Sequence, residues 1–386
     1  AACAPQPKVG TEGPETAVGH GAACPAAGTW FAPAEGRQLT TGEVLDRLAD
    51  SRVVLLTELH DRADHHRWQV QMLAALHAQE PDMAVGFEMF PRKVQPVLDR
   101  WRSGALDEVE FLEQADWWRH WGFDPDLYLP LFHFVRLNDL DMRALNLDRP
   151  IIARVAQEGL EWVPPAERRG VTDPAPLSQG YLDRLLEAYR QHLPEESRDN
   201  AGANSEGFQH FVEAQAVRDR AMAEALADAL VSTNGAPARR RAVGILGRGH
   251  ADHGDGVPAQ LLEMGVAEVT VLTPWSPGEE CQLPEAGLAD AVFLLGDNRP
   301  APPPKRLGVH LKPGDNGGLQ IFDVQPDSPA MAAGLQSGDR IVEAGGRPVT
   351  ELADLQLAIW QSGQGGALPL VLERDGQSRT VLVRLR

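Results

Sequence analysis

The chain has 386 residues, is 43% hydrophobic, and carries a formal net charge of −19. That length accommodates two or three domains, and so acidic a chain is a poor general partner for nucleic acid or an anionic lipid surface. No run reaches the roughly 18 apolar residues that a membrane-crossing helix needs.

In chain order, Ala1, Ala2 and Cys3 resemble the tail of a lipoprotein signal, in which Cys3 would be the lipid-bearing residue. Residues 1–35, rich in Ala, Gly and Pro, lack periodicity and read as a flexible leader. Cys24 and Cys281 are far apart, and spacing leaves their pairing open. Residues 36–50 read as a short helix. A domain over 36–296 follows, in which apolar strands at 52–58, 82–90, 140–147, 241–250 and 265–274 alternate with helices. The helix after the first strand carries Trp68, Met72 and Leu76 on one stripe. The aromatic-rich segment 94–136 and residues 178–232 also read as helical. Such alternation predicts an α/β fold: a mainly parallel sheet flanked by helices. The basic run Arg239, Arg240, Arg241 abuts a predicted strand and reads as a solvated loop.

Between 297 and 305 four prolines make a stiff linker. Beyond it, 306–386 has the rhythm of a small β-rich domain. The string over 327–359, with Gly338, Asp339, Arg340 and Ile341 at its centre, resembles a PDZ domain of the HtrA type. That resemblance implies strand addition by a peptide whose C-terminal carboxylate is held by backbone N–H groups. The matching loop is Leu307, Gly308, Val309 and His310. Leu355 and Ile359, four apart on the predicted helix, would line the groove. A PDZ fold serving as spacer or dimer contact is the alternative.

The stretch 55–66 poses the chemical question, because an apolar run ends in Glu58 and His60, with His65 and His66 close behind. Ligands of parallel sheets bind beyond the strands' carboxyl ends. The other strands end likewise in functional residues: Glu88, Asn146, and His250 after Gly247 and Gly249, which are expected to let a sharp turn aim the imidazole. Convergence on one sheet rim is the central expectation. Each acid also has a plainer reading as a cap or salt-bridge partner, and each histidine as a satisfied core residue or solvated helix start. Gln215 and Asp219 interrupt the apolar stripe of Phe208, Phe211, Val212, Met222 and Leu226. They either line the pocket or bond a neighbouring loop.

These motifs, from 57–73 through 87–90, 117–132, 144–160, 211–223 and 247–261, resemble the ChaN family of haem-binding lipoproteins, in a wider group with the Tiki/TraB proteins and erythromycin esterases. Thr57 departs from the glycine usual there. The resemblance implies a haem site at the interface of a homodimer, with tyrosine on the iron. Of Tyr128, Tyr181 and Tyr189, Tyr128 lies in the matching stretch, beside Trp117, Trp118, Trp121 and Phe123. His60, His65, His66 or His250 would add a ligand or hydrogen bond. With Cys3, the resemblance implies a periplasmic lipoprotein, anchored in the outer membrane and serving haem and iron uptake.

The rival expectation is a hydrolase using Glu58, His60, Glu88 and His250, either around a divalent metal such as zinc or, metal-free, with a histidine general base. No serine-elbow, zinc-protease helix or phosphate-loop motif occurs to favour other chemistries. A non-enzymatic adaptor is the third possibility.

Overall fold

The computed structural model describes residues 24–198, 202–231, 240–296, 299–314, 317–363 and 366–385. Cys3, most of the leader, and linker residues 297 and 298 lie outside them. The chain divides into two compact units, one formed by residues up to 96 and 130–300, the other by 97–129 and 301–386.

The first unit is built on a sheet of eight strands. They are β1 (Trp30–Ala32), β2 (Arg37–Leu39), β3 (Val53–Glu58), β4 (Met83–Pro91), β5 (Asp141–Asn146), β6 (Arg241–Gly247), β7 (Val269–Trp275) and β8 (Ala291–Leu294). Their order is β2-β1-β8-β7-β3-β6-β4-β5. The pairs from β8 through β5 are all parallel, and β1 and β2 add antiparallel at one edge. Strands β3, β4 and β6 are buried along their whole length. This is why they read as continuous apolar runs rather than alternations.

Three helices of this unit matter below: α1 (Ala63–Gln79), α2 (Gln179–His192) and α3 (Glu206–Ala229). The predicted stripe of α1, Trp68, Met72 and Leu76, is buried. Met222 and Leu226 of α3 pack in the main core with Leu55 and Leu246. The glycine at 86 is a packing requirement, since a methyl group there would stand 2.5 Å from Leu145 Cδ2.

Three short strands of this unit, β1, β2 and β8, were absent from the sequence reading. Trp30–Ala32 forms buried β1 inside what reads as a flexible leader, and Arg37–Leu39 precedes a helix that begins only at Thr41. A disulfide joins Cys24 to Cys281 and fastens the start of this edge to the loop after β7.

The second unit holds an antiparallel sheet of β9 (Val309–Pro313), β10 (Leu319–Val324), β11 (Arg340–Ala344), β12 (Arg347–Pro348), β13 (Ala367–Arg374) and β14 (Gln377–Arg384). The order is β14-β13-β11-β10-β9, with β12 paired to β11. Helix α4 (Leu352–Gln361) covers it, and Leu307, Ile321, Ile341, Leu355 and Leu370 share its core.

Residues 97–129 join this unit despite their place early in the chain. Segment 94–136 is not one helix but several, including Gln95–Arg102, Glu108–Gln114, Trp117–His120 and Leu129–Leu137. Against α4, Trp360 Nε1 donates to Asp126 Oδ1 at 2.9 Å and its ring lies 6.3 Å from that of Trp118. Arg119 pairs with Glu351, and Arg347 with Glu113.

Candidate functional site: an acid–imidazole network at the strand ends

Strands β3, β6, β4 and β5 are consecutive in the sheet. Parallel pairing therefore brings their carboxyl ends together. Register sets Glu58 beside Gly247. Pairing of β4 with β5 is irregular between Phe87 and Pro91, and Glu88 lies in that bulge, a device that re-aims side chains. Asn146 ends β5. Its Nδ2 donates to the Glu88 carbonyl at 3.1 Å and its Oδ1 accepts the Leu147 N–H at 2.9 Å, which holds the bulge.

Glu58 takes one imidazole on each carboxylate oxygen. Oε1 is 2.8 Å from His60 Nδ1, and Oε2 is 2.9 Å from His66 Nδ1. His66 Nε2 lies 3.1 Å from the His60 carbonyl. Gln69 donates from Nε2 to the Leu56 carbonyl at 2.9 Å, so its Oε1, 3.2 Å from His66 Nδ1, is an acceptor. With acceptors at both ring nitrogens, His66 is an imidazolium. Burial alone would lower its pKa, but Glu58 outweighs burial and raises it. Burial likewise pushes the Glu58 carboxyl up, and His66 and His60 reverse this and hold it well below the usual range. His65 differs: its Nδ1 accepts the Leu59 N–H at 3.0 Å, and burial pushes its pKa down to about 3. It is a neutral residue that fixes the turn after β3.

Glu88 anchors the second half. Its Oε2 accepts the Gly247 N–H at 2.7 Å, and its Oε1 accepts from Arg218 Nη2 at 2.9 Å and lies 3.2 Å from His250 Nε2. His250 Nδ1 is 2.5 Å from Asp219 Oδ1 and 2.9 Å from the Gln215 amide. Tyr181 of α2 donates from its hydroxyl to Asp219 Oδ2 at 2.8 Å. Burial would lower the His250 pKa, yet Glu88 and Asp219 on either side raise it to about 9. Burial works against the Glu88 carboxylate too, but His250, His60 and Arg218 keep it strongly acidic. Burial dominates at Asp219 and Tyr181 and raises both.

The halves meet over Gly247. A Cβ there would stand 2.7 Å from His60 Cε1 and 3.4 Å from Glu88 Oε2. Gly247 has an ordinary extended φ of −66°, so its glycine serves close approach rather than a sharp turn. This corrects the expectation drawn from Gly247 and Gly249. The conformational work falls instead to Gly256, with φ +60° and no room for a Cβ against the His250 carbonyl.

Glu58, His60, Glu88 and His250 thus converge on one rim. Gln215 and Asp219 join them, through His250, rather than serving a remote loop. Tyr181 and Arg218 were not anticipated as members; only their separate helices carry them, and no spacing signals it. Most of the network is buried. Its partly exposed members are His60, with 19% of its side chain exposed, Arg218, with 27%, and Gln215. Anionic Glu58 and Glu88 are matched by cationic His66, His250 and Arg218, as buried charges require.

Among the described residues, no three or more His, Cys, Asp or Glu side chains are arranged to hold a metal ion. At His250 both ring nitrogens are already engaged, Nδ1 by Asp219 and Nε2 by Glu88. Tyr128 belongs to the second unit. It is fully buried, its ring 5.3 Å from Trp117 and 6.1 Å from Trp121 in edge-on contacts. Trp117 is itself tied by Nε1 to the Phe123 carbonyl at 2.7 Å. The tryptophans here are core packing around a phenol that is not offered at the surface.

In the PDZ-like sheet, Gly308 takes φ +77°, and a Cβ would stand 2.3 Å from Ser328 Cβ. Leu307, Val309, Leu355 and Ile359 share one apolar cluster. His310 is exposed and bonded through Nδ1 to Asp323 Oδ2 at 3.1 Å.

A parallel α/β sheet with an acid–imidazole rim, joined to an antiparallel β module, defines a two-part α/β and PDZ protein. Comparison with known proteins makes this specific. The family model described as haem-binding uptake, Tiki superfamily, ChaN matches residues 44–261, over half of the chain, and the chain belongs to that family. A PDZ family model matches 305–385. The solved structure titled as cofacial heme binding to ChaN of Campylobacter jejuni aligns with 68% of this chain and 95% of its own, at 17% identity and a TM-score of 0.51, which shows the shared fold. Curated relatives match over short stretches. A putative zinc metalloprotease of Treponema pallidum is 40% identical over 65 residues, 17% of this chain and 14% of its own length. Serine protease HTRA1 of Xenopus tropicalis is 38% identical over 81 residues, 20% of this chain and 17% of its own. The chain thus spans less than a fifth of either relative.

Proposed function

We propose that this protein captures haem through its α/β domain and recruits a protein C-terminus through its PDZ domain, in the service of haem and iron uptake. The observation that carries the first part is the setting of His60. Of the five expected iron partners, Tyr128, His60, His65, His66 and His250, the other four are buried and His60 alone has part of its side chain exposed. Its Nδ1 is held by Glu58, itself held by His66, the carboxylate–imidazole arrangement that orients a ligating histidine. The residues present therefore fit a haem axial ligand at His60. Bound haem would supply a redox-active iron. Glu58 and His66 hold the ligand's ring, and Arg218 offers a cation for a propionate. Tyr128 packs the core of its own unit.

Titration with hemin tests this. A Soret shift is expected for the wild type and for Tyr128→Phe, and its loss for His60→Ala. An unchanged spectrum in His60→Ala, with the shift lost in Tyr128→Phe, would return the iron to tyrosine. Haem shared between two copies predicts a doubling of mass on titration, read by light scattering. The Cys24–Cys281 disulfide supports an oxidising compartment and hence export to the periplasm. The lipid anchor on Cys3 and the outer-membrane location rest on the start of the sequence alone, and palmitate labelling with membrane fractionation tests them.

Hydrolysis is a second reading, favoured by the relay Tyr181–Asp219–His250–Glu88. In it His60, oriented by Glu58, is the general base. His250, protonated at neutral pH, donates a proton or stabilises an oxyanion. Turnover of ester or peptide substrates lost in both His60→Ala and His250→Gln would support it.

A further inference from the structure

The PDZ-like unit carries more than a generic groove. We infer that it selects C-terminal peptides with an acidic side chain at the fourth residue from the end, and that Lys312 is the selecting residue. This rests on the peptide-recruiting reading above.

Strand β9 ends the sheet, so its outer edge has no strand partner among the described residues. An extended peptide adding there would bring its carboxylate to the loop before β9. Among the described residues, the N–H groups of Leu307 and Gly308 donate to nothing, although their carbonyls accept from Ala330 and Gln325 at 2.9 Å each. Two unused amides in a loop that only glycine can form are a site for an anion.

Side chains along a strand alternate between faces. Val309 and Leu311 of β9 are half-buried and pack on the apolar cluster with Ile359 of α4. His310 and Lys312, between and beyond them, are exposed on the other face. A peptide paired with β9 turns its last and third-last side chains to the apolar side. Its second- and fourth-last then run beside His310 and Lys312. These two side chains are not equivalent. His310 is bonded to Asp323, and its ring stacks on Phe322 at 5.5 Å. Lys312 makes no ion pair among the described residues. Its ammonium is the charge left to answer an incoming carboxylate.

The groove's helical wall is also held in place. Trp360, Glu351 and Arg347, on and before α4, are bonded to Asp126, Arg119 and Glu113. A wall braced from behind loses little freedom when a peptide binds, which favours affinity.

A lysine on an edge strand also guards against unwanted strand pairing. Guarding is indifferent to peptide charge, so the two roles separate. The full chain should be used to select from a library of peptides with randomised free C-termini. Asp and Glu are expected to be enriched roughly threefold or more at the fourth position from the end, the scale of an exposed ion pair. In Lys312→Glu that preference should invert to Lys and Arg. Uniform composition at that position, with free C-termini still selected, overturns the inference but leaves peptide binding standing. Selection that ignores whether the C-terminus is free or amidated overturns the peptide reading beneath it.

Discussion

His250 and the two buried glutamates pull stability in opposite directions along the pH axis. A histidine raised from 6.5 to about 9 contributes stability that is complete below about 6.5 and is lost as pH climbs through 9. Glu58 and Glu88, lowered from 4.5, contribute stability present above that value and lost as pH falls toward their folded range. Neutral His65, lowered from 6.5 to about 3, adds stability that is complete only above about 6.5, so unfolding free energy is expected to peak near pH 6.5 and to decline by up to ~3 kcal/mol on the alkaline side. Urea unfolding at pH 6 and pH 9.5 checks this. His250→Leu should flatten the alkaline decline while costing about 3–5 kcal/mol at pH 6, because it leaves Glu88 and Asp219 buried without their cation. Gly247→Ala is a sharper probe of geometry. Its methyl would meet the His60 ring at 2.7 Å, so about 1–3 kcal/mol of overpacking is expected, together with a weakened hemin shift. Equal melting temperatures for Gly247→Ala and wild type would refute the close approach.

At the scale of elements, what was legible follows from burial. Strands β3, β4 and β6 are covered on both faces, so each reads as an apolar run, with Glu58 and the turn to His250 at the ends of β3 and β6 and Glu88 in the bulge of β4, which continues to Pro91. A shared rim for their carboxyl ends followed from the parallel alternation, whereas their order in the sheet did not. Trp30–Ala32, Arg37–Leu39 and Ala291–Leu294 are only 3 or 4 residues long, too short for a period to show. Tyr181 and Asp219 stand 38 positions apart on different helices, and their bond depends on how those helices pack. The loop before β9 was legible because its glycine is obligatory. Gly308→Ala must adopt φ +77° and displace Ser328, so the β module is expected to lose about 1–3 kcal/mol. Retention of free C-termini should fall with it, read in the same peptide selection.

For the molecule as a whole, covalent and discontinuous packing matter most. The Cys24–Cys281 bridge spans a sequence separation of 257 residues, and removing such a link usually costs about 2–5 kcal/mol. A reductant, or Cys281→Ser, should lower the melting temperature, whereas coincident melts with and without reductant would show the bridge to be energetically idle. The alliance of 97–129 with the C-terminal module was invisible in the sequence, since neither segment announces its partner. A chain ended at residue 300 should leave Trp118 and its neighbours without Trp360 and α4. Limited proteolysis is then expected to cut within 97–129 far faster than in the full chain, and equal cutting rates would contradict the alliance.

That alliance also bears on biosynthesis. Residues 97–129 leave the ribosome with about 170 residues still to be made before 301–386 begin to appear, a wait of roughly 10–35 s at bacterial elongation rates. For that interval a segment with four tryptophans lacks the partner it packs against. Nascent chains of this protein therefore offer chaperones a defined early client segment, and residues 301–386 are the ones that retire it.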